Sequence, residues 1–106
     1  MPPNTDYWKR AIQLLRDGRS KEAERLVRKG VGSSNPWELQ CAYLYELRTQ
    51  ELHKQGDDAL AREAAKRAKE FMADASRQAT SSADALSISQ ACSEIERHLE
   101  DMLGCL

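Results

Sequence analysis

Apolar residues recur at intervals of three and four along almost the whole chain, a spacing that places them on one face of an α-helix. β-Branched residues are few, and the chain is rich in Ala, Leu, Glu, Lys and Arg, which favour helices. Short polar stretches, most of them containing Gly or Pro, interrupt the pattern. The 106 residues therefore predict a single all-α domain of five helices, large enough for one hydrophobic core.

The residues at these interruptions predict where the helices begin and end. Gly18 and Gly56 suit the left-handed conformation that closes many helices. Ser20 is a candidate N-cap for the second helix, and Asp57 or Asp58 for the fourth. We expect the first four helices at about 5–17, 20–30, 36–54 and 58–79.

Two helix starts carry additional signals. Asn35 as N-cap, Pro36 at the first helical position and Glu38 at the third open the third helix. Ser81 and Asp84 match a capping box at the start of the fifth. The apolar residues of helix 5 form a seam of Ala85, Ile88, Cys92, Ile95, Leu99, Met102 and Leu106. Three heptads are short for a free-standing coiled coil, so we expect this seam to pack on the domain's own core.

Two segments of the chain align at an offset of 38 residues. They are "YWKRAIQLLRDGRSKEAERLVRKG" (7–30) and "YELRTQELHKQGDDALAREAAKRA" (45–68). The paired positions are Tyr7 and Tyr45, Arg10 and Arg48, Leu14 and Leu52, Gly18 and Gly56, Ala23 and Ala61, and Gly30 and Ala68. Apart from the arginines, each pair shares one physical role: aromatic anchor, packed leucine, turn glycine or small contact residue. A helix–turn–helix unit repeated at such a period is typical of solenoid proteins.

The pattern resembles the tetratricopeptide repeat family over about residues 5–79. The family's roles fall on Tyr7, Ala11, Leu14, Gly18, Ala23 and Gly30, and again on Tyr45, Thr49, Leu52, Gly56, Ala61 and Ala68. The spacing exceeds the usual ~34 residues, and the family's closing proline is missing from both copies. The resemblance implies two antiparallel helix–turn–helix units stacked right-handedly, with a C-terminal capping helix.

The resemblance also implies a non-enzymatic adaptor or scaffold that binds a protein or peptide in a concave groove on helices 1 and 3. Carried over to this chain, the groove-facing positions are Trp8, Ile12, Arg16, Tyr43, Glu46, Gln50 and His53. One subset of the family binds a C-terminal carboxylate through Lys and Asn at such positions. Because Trp8 and Ile12 stand there in this chain, we expect an apolar peptide or helix as the partner.

The first helix has an apolar face wider than the ~100° that a one-sided surface helix needs. Ala11 and Leu14 can pack inside the first hairpin, which leaves Trp8, Ile12 and Leu15 to be covered by another element. We expect helix 5 to fold back over them, and the alternative is a partner, either a second copy in a homodimer or a different protein. Two repeats are fewer than the three usually needed for stability, so helix 5 or a dimer has to add burial.

The histidines and cysteines of this chain lack the spacing that catalytic and metal sites need. His53 and His98 belong to no zinc or di-iron motif, and the chain has no phosphate-binding glycine loop and no nucleophile motif. Cys41, Cys92 and Cys105 are far apart, which favours buried thiols over a metal site or disulfide framework. We predict no enzymatic activity, no metal and no cofactor. With no signal peptide or membrane-length segment, we expect a cytoplasmic protein without a membrane partner.

Charge is unevenly distributed, although the formal net charge is only −1. Residues 1–32 contain eight Lys/Arg and four Asp/Glu, whereas residues 80–106 contain one and five. This basic front and acidic tail can attract each other within the fold or between copies.

Basic stripes on helices 2 and 4 raise the alternative of a nucleic-acid-binding accessory protein. The stripes are Lys21, Arg25, Arg28 and Lys29, and Arg62, Lys66 and Lys69. Acidic residues are interspersed among them, so we consider nucleic-acid binding unlikely. The other alternative is a small cytosolic chaperone or adaptor for a secreted or assembly-prone partner, which would use the apolar face of helix 1.

Overall fold

The computed structural model of the chain describes residues 6–31, 36–79 and 81–104. Within these ranges the chain forms five α-helices and no β-strand, which confirms the predicted all-α class. The helices are α1 (Asp6–Arg16), α2 (Ser20–Val31), α3 (Trp37–Lys54), α4 (Asp58–Arg77) and α5 (Ser82–Leu103). None of these described helices is long and apolar enough to cross a membrane.

The turns that close α1 and α3 have the same backbone geometry. Gly18 and Gly56 adopt φ values of +80° and +82°, as predicted for residues that end helices. Each turn has two hydrogen bonds that satisfy carbonyls of the last helical turn, the arrangement of a Schellman motif. They run from N of Gly18 to O of Leu15 (3.1 Å), from N of Arg19 to O of Leu14 (2.8 Å), from N of Gly56 to O of His53 (3.0 Å) and from N of Asp57 to O of Leu52 (3.0 Å).

Two of the predicted N-caps are confirmed. The side chain of Asp57 accepts a hydrogen bond from the backbone N of Leu60 at 3.2 Å. The hydroxyl of Ser81 accepts one from the backbone N of Asp84 at 3.1 Å. Each bond satisfies one of the free amide groups at a helix start.

Two other helix starts are displaced by one residue from the prediction. Ser20 is already helical, because the carbonyl of Arg19 accepts the first helical bond from N of Ala23 at 3.1 Å. Arg19 therefore takes the N-cap position. Pro36 is the N-cap of α3 and not its first helical residue, since its backbone is extended with ψ of 110°. The predicted cap Asn35 lies outside the described residues.

α3 is the central helix and contacts each of the other four. α1 and α2 form one hairpin, α3 and α4 form a second, and α5 packs against both helices of the second hairpin. Among the described residues, no Cα atom of α5 lies within 8 Å of α1 or α2. The odd-numbered helices therefore pack in series, α1 on α3 and α3 on α5.

This arrangement corrects the expected cover of the first helix. Ile12 and Leu15 are only 6% and 8% exposed, although α5 does not reach α1. α2 and α3 are the helices in contact with α1, so they cover these side chains. Trp8 stays half-buried and lies edge-on to Tyr7, with ring centroids 6.4 Å apart.

Small side chains allow α4 to pack closely on its neighbours. Its fully buried alanines are Ala61, Ala65, Ala68 and Ala75. α5 adds Ile95 and Leu99 to the core, with 1% and 0% of their surface exposed. The prediction that helix 5 packs on the domain's own core is therefore confirmed. Of the predicted seam, Ala85 is exposed, and Leu106 lies outside the described residues.

Candidate binding groove on α3

One side of α3 is left partly open by its neighbours. Leu39, Tyr43 and Leu47 follow each other at intervals of four, which aligns them along the helix. All three side chains are half-buried, and they pack against the core from its outer side. They form an apolar row in the middle of the molecule, because α3 is the central helix.

A salt bridge fixes α1 along one edge of this row. The Nε of Arg16 in α1 donates to Oε1 of Glu51 in α3 at 3.2 Å, and the other guanidinium nitrogen contacts Oε2 of the same carboxylate. Arg48 donates to Glu51 from within α3 at 3.0 Å. The hydrogen bond from Arg16 lowers the pKa of Glu51, and Arg48 acts in the same direction against the effect of burial.

A second pair fixes α5 along the other edge. Nδ1 of His98 in α5 lies 2.7 Å from Oε1 of Glu46 in α3. Glu46 is 8% exposed, so its carboxylate is largely withdrawn from solvent and directed at α5. Such a contact between neighbouring helices fixes their relative position along the axis.

The apolar row lies between these two pairs. Glu46 and Glu51 are five residues apart, which places them about 140° apart around the helix axis. Leu39, Tyr43 and Leu47 project within this sector, as does Gln50. We treat the surface formed by these four residues as a candidate groove with α1 and α5 on its two sides, and we call it the α3 groove. Each of the four is half-buried, so part of each side chain faces outward.

Glu94 of α5 lies near the floor of the α3 groove. It precedes His98 by one helical turn, just as Tyr43 precedes Glu46 by about one turn on the parallel helix α3. Burial raises the pKa of Tyr43, and the nearby carboxylates of Glu94 and Glu46 raise it further. The α5 wall of the groove is therefore acidic.

The structure brings together four of the seven predicted groove residues. Tyr43 and Gln50 lie on the floor of the α3 groove, and Arg16 and Glu46 hold its two walls.

The other three lie elsewhere. Ile12 is buried in the core and Trp8 is half-buried against it. His53 is exposed, and its Nδ1 lies 3.3 Å from Oδ1 of Asp58 at the turn into α4. The predicted set of groove residues did not include Leu39 and Leu47, although their spacing of four from Tyr43 is visible in the sequence.

A polar cluster joins the two hairpins on the other side of the molecule. The hydroxyl of Tyr45 donates to Glu24 of α2 at 2.6 Å, and Arg67 of α4 donates two hydrogen bonds to the same carboxylate at 3.1 and 3.2 Å. The guanidinium of Arg67 also lies 4.4 Å from the ring centroid of Phe71. Burial raises the pKa of Tyr45, and its hydrogen bond to Glu24 adds to this effect. The cluster connects α2, α3 and α4 and fixes the hairpins relative to each other.

Two further residues on this side bear on the predicted basic stripe and on the predicted role of the cysteines. Arg28, which was assigned to an outer basic stripe, lies with its guanidinium 5.0 Å from the ring centroid of Trp37. Cys41 is fully buried, and burial raises the pKa of its thiol to about 12. A thiol held in its neutral form is a poor nucleophile and a poor metal ligand. In the described part of the chain, no three His, Cys, Asp or Glu side chains are grouped as a metal site requires.

No protein-family model matches this sequence, and comparison with curated proteins and with solved structures yields no significant match.

Proposed function

We propose that this protein is a non-enzymatic protein-interaction module that binds an apolar peptide or amphipathic helix in the α3 groove. The observation that carries the proposal is the half-buried row of Leu39, Tyr43 and Leu47 between two walls, one held by the Arg16–Glu51 salt bridge and the other by the contact of His98 with Glu46. An amphipathic helix presents apolar residues at intervals of three and four, which matches the spacing of this row.

The fixed walls favour binding because they reduce the conformational entropy lost when a partner is ordered against the groove. Arg16 with Glu51 and His98 with Glu46 hold α1 and α5 in place before a partner arrives. A preformed site loses less free energy on association than one that has to assemble. The apolar floor would supply affinity, and the acidic residue Glu94 on the α5 wall would favour partners with a basic residue beside their apolar face.

The repeated hairpin pattern supports the same proposal. The turns at Gly18 and Gly56 have equivalent hydrogen bonds, and the order of helix contacts is the one expected of stacked helical hairpins. Under the tetratricopeptide-like interpretation, the protein is a cytoplasmic adaptor or scaffold that needs no cofactor. A chaperone for a secreted or assembly-prone protein would use the same groove.

The proposal is tested by comparing partners recovered from native cell extract with the wild-type protein and two variants. Leu47→Lys places a charge on the floor of the groove, whereas the matched control Leu86→Lys changes a leucine of α5 that is 61% exposed. We expect a partner that binds the wild type and Leu86→Lys equally and is lost with Leu47→Lys, all three proteins having the same helical circular dichroism. A partner retained by Leu47→Lys would place the binding site elsewhere.

A further inference from the structure

We infer that this protein associates with further copies of itself in a head-to-tail manner, with the α1–α2 hairpin of one copy against α5 of the next. The inference concerns surfaces outside the α3 groove and does not depend on the proposed function. Two oppositely charged faces and one exposed leucine carry it.

The first surface, the basic face, lies on the α1–α2 hairpin. Its members are Lys9, Arg10, Lys21, Arg25 and Lys29. All five side chains are exposed, and within the described residues none of them takes part in an ion pair. The two glutamates of α2 are paired with cations: Glu22 binds Arg19 at 2.7 Å, and Glu24 binds Arg67 at 3.1 Å. The remaining charge of this face is therefore strongly positive.

The second surface, the acidic face, lies on α5. Its members are Glu96, Glu100 and Asp101. These carboxylates are exposed and form no ion pair among the described side chains, and Arg97 is the one opposing charge between them. Leu86 lies on the same outward side of α5 and is the most exposed large apolar residue of the described chain, at 61%. It stands about 15 Å along the helix from Glu96 and offers an apolar contact at the other end of α5.

The two faces cannot neutralise each other within one molecule. α1 and α2 lie on one side of α3 and α5 lies on the other, with no Cα of α5 within 8 Å of the described first hairpin. Packed helices are about 8–10 Å apart, so two such steps separate the faces by about twice that distance. This exceeds the Debye length of about 8 Å at physiological salt. The complementary charges can approach closely only when they belong to different copies.

The formal net charge of −1 gives these copies almost no overall repulsion. Because the two faces differ, the contact is heterologous, and each copy keeps one free face after the first contact. Association therefore continues beyond a dimer, either into a ring or into an open chain.

The contact is small. Helices of 11 and 12 residues are about 17 Å long and about 10 Å wide, so the hairpin offers about 350 Å². A standard stable interface buries about 800 Å² on each partner. We therefore expect weak association that exchanges rapidly and depends strongly on ionic strength.

Sedimentation velocity over a range of protein concentrations tests this inference. At about 0.01 M salt, where the Debye length is about 30 Å, the weight-average sedimentation coefficient should rise with concentration without levelling at a dimer. At about 1 M salt, where the Debye length is about 3 Å, it should stay at the monomer value. A wild type that is monomeric at low salt, or an oligomer that resists high salt, overturns the inference.

Two charge-reversed variants show which faces take part. The first carries Lys21→Glu, Arg25→Glu and Lys29→Glu, and the second carries Glu96→Lys, Glu100→Lys and Asp101→Lys. Each variant alone presents two faces of like charge and should remain monomeric at low salt. An equimolar mixture again has complementary faces and should associate. A mixture that stays monomeric, or a single variant that associates like the wild type, contradicts the assignment.

Leu47→Lys separates this inference from the proposed function. The substitution changes the α3 groove and should leave self-association unchanged, because residue 47 belongs to neither charged face. Loss of self-association in Leu47→Lys would mean that copies meet through the groove, which overturns the head-to-tail arrangement.

Discussion

The aromatic ring of Tyr7 lies directly against the backbone of Gly30. A methyl group at position 30 would stand 2.5 Å from Cδ1 and 2.8 Å from Cδ2 of that ring, closer than carbon atoms approach. The start of α1 and the end of α2 are in contact because residue 30 has no side chain. The equivalent position in the second hairpin is Ala68, which is fully buried.

This contact predicts that Gly30→Ala destabilises the protein, which is the reverse of the usual effect of this substitution in a helix. In a helix the change normally stabilises by up to about 1 kcal/mol. Here we expect net destabilisation of about 1–2 kcal/mol, because displacing a packed ring costs more than the gain in helix propensity. Urea unfolding provides the measurement. In a Tyr7→Ala background the same substitution should be neutral or stabilising, and an equal loss in both backgrounds would rule out the ring contact as the cause.

Leu99→Asp should prevent folding, because Leu99 is fully buried in α5 and a carboxylate there has no solvent. Burying an unpaired charge costs several kcal/mol, about the whole stability of a small domain. Circular dichroism and thermal unfolding should show no cooperative transition, whereas Leu86→Asp on the exposed side of the same helix should unfold like the wild type. A folded, monomeric Leu99→Asp protein would remove α5 from the core.

The polar cluster around Glu24 predicts that replacing this residue destabilises the protein more than replacing Glu22, the other glutamate of α2. Glu24→Ala leaves the hydroxyl of Tyr45 and the guanidinium of Arg67 without their shared acceptor, and we expect a loss of about 1–3 kcal/mol. Glu22→Ala removes a pair with Arg19 whose side chains are 48% and 57% exposed, so its cost should stay below about 1 kcal/mol. Chemical denaturation of both variants measures the difference. Equal losses would mean that the cluster does not fix the two hairpins.

The fold was predictable where short-range signals decide it. Glycine at a left-handed helix end and a serine or aspartate N-cap act through bonds within a few residues, so Gly18, Gly56 and Ser81 could be assigned from the sequence. The cover of Ile12 could not, because periodicity identifies an apolar face without identifying which helix lies on it.

The groove was only partly predictable for a related reason. Its apolar row follows from spacing, but its walls depend on pairs far apart in sequence, such as Arg16 with Glu51 and Glu46 with His98. An exposed glutamate and a half-buried glutamate look identical in a sequence. Only the packing of α1 and α5 on α3 determines which carboxylate meets which cation.

Cys41 should report on opening of the core. Its thiol is buried and its pKa is raised to about 12, so it should resist alkylation at neutral pH in the folded protein. A variant with Cys92→Ser and Cys105→Ser leaves Cys41 as the one cysteine. Its labelling rate should rise in urea together with the loss of helical signal. Rapid labelling of the native protein would show that the α3–α4 packing opens locally.

The salt bridge between Arg16 and Glu51 predicts how stability changes with pH. Glu51 has a lowered pKa in the folded state, so the folded form binds fewer protons than the unfolded form near the ordinary value of 4.5. Its contribution is present above that value and disappears as the pH falls through the lowered folded-state pKa. Glu51→Gln should therefore cost up to about 1 kcal/mol at neutral pH, within the range for exposed ion pairs. The difference from the wild type in urea unfolding should shrink steadily below pH 4.5. A difference that is the same at neutral and acidic pH would mean that the carboxylate charge does not hold α1 at the wall of the groove.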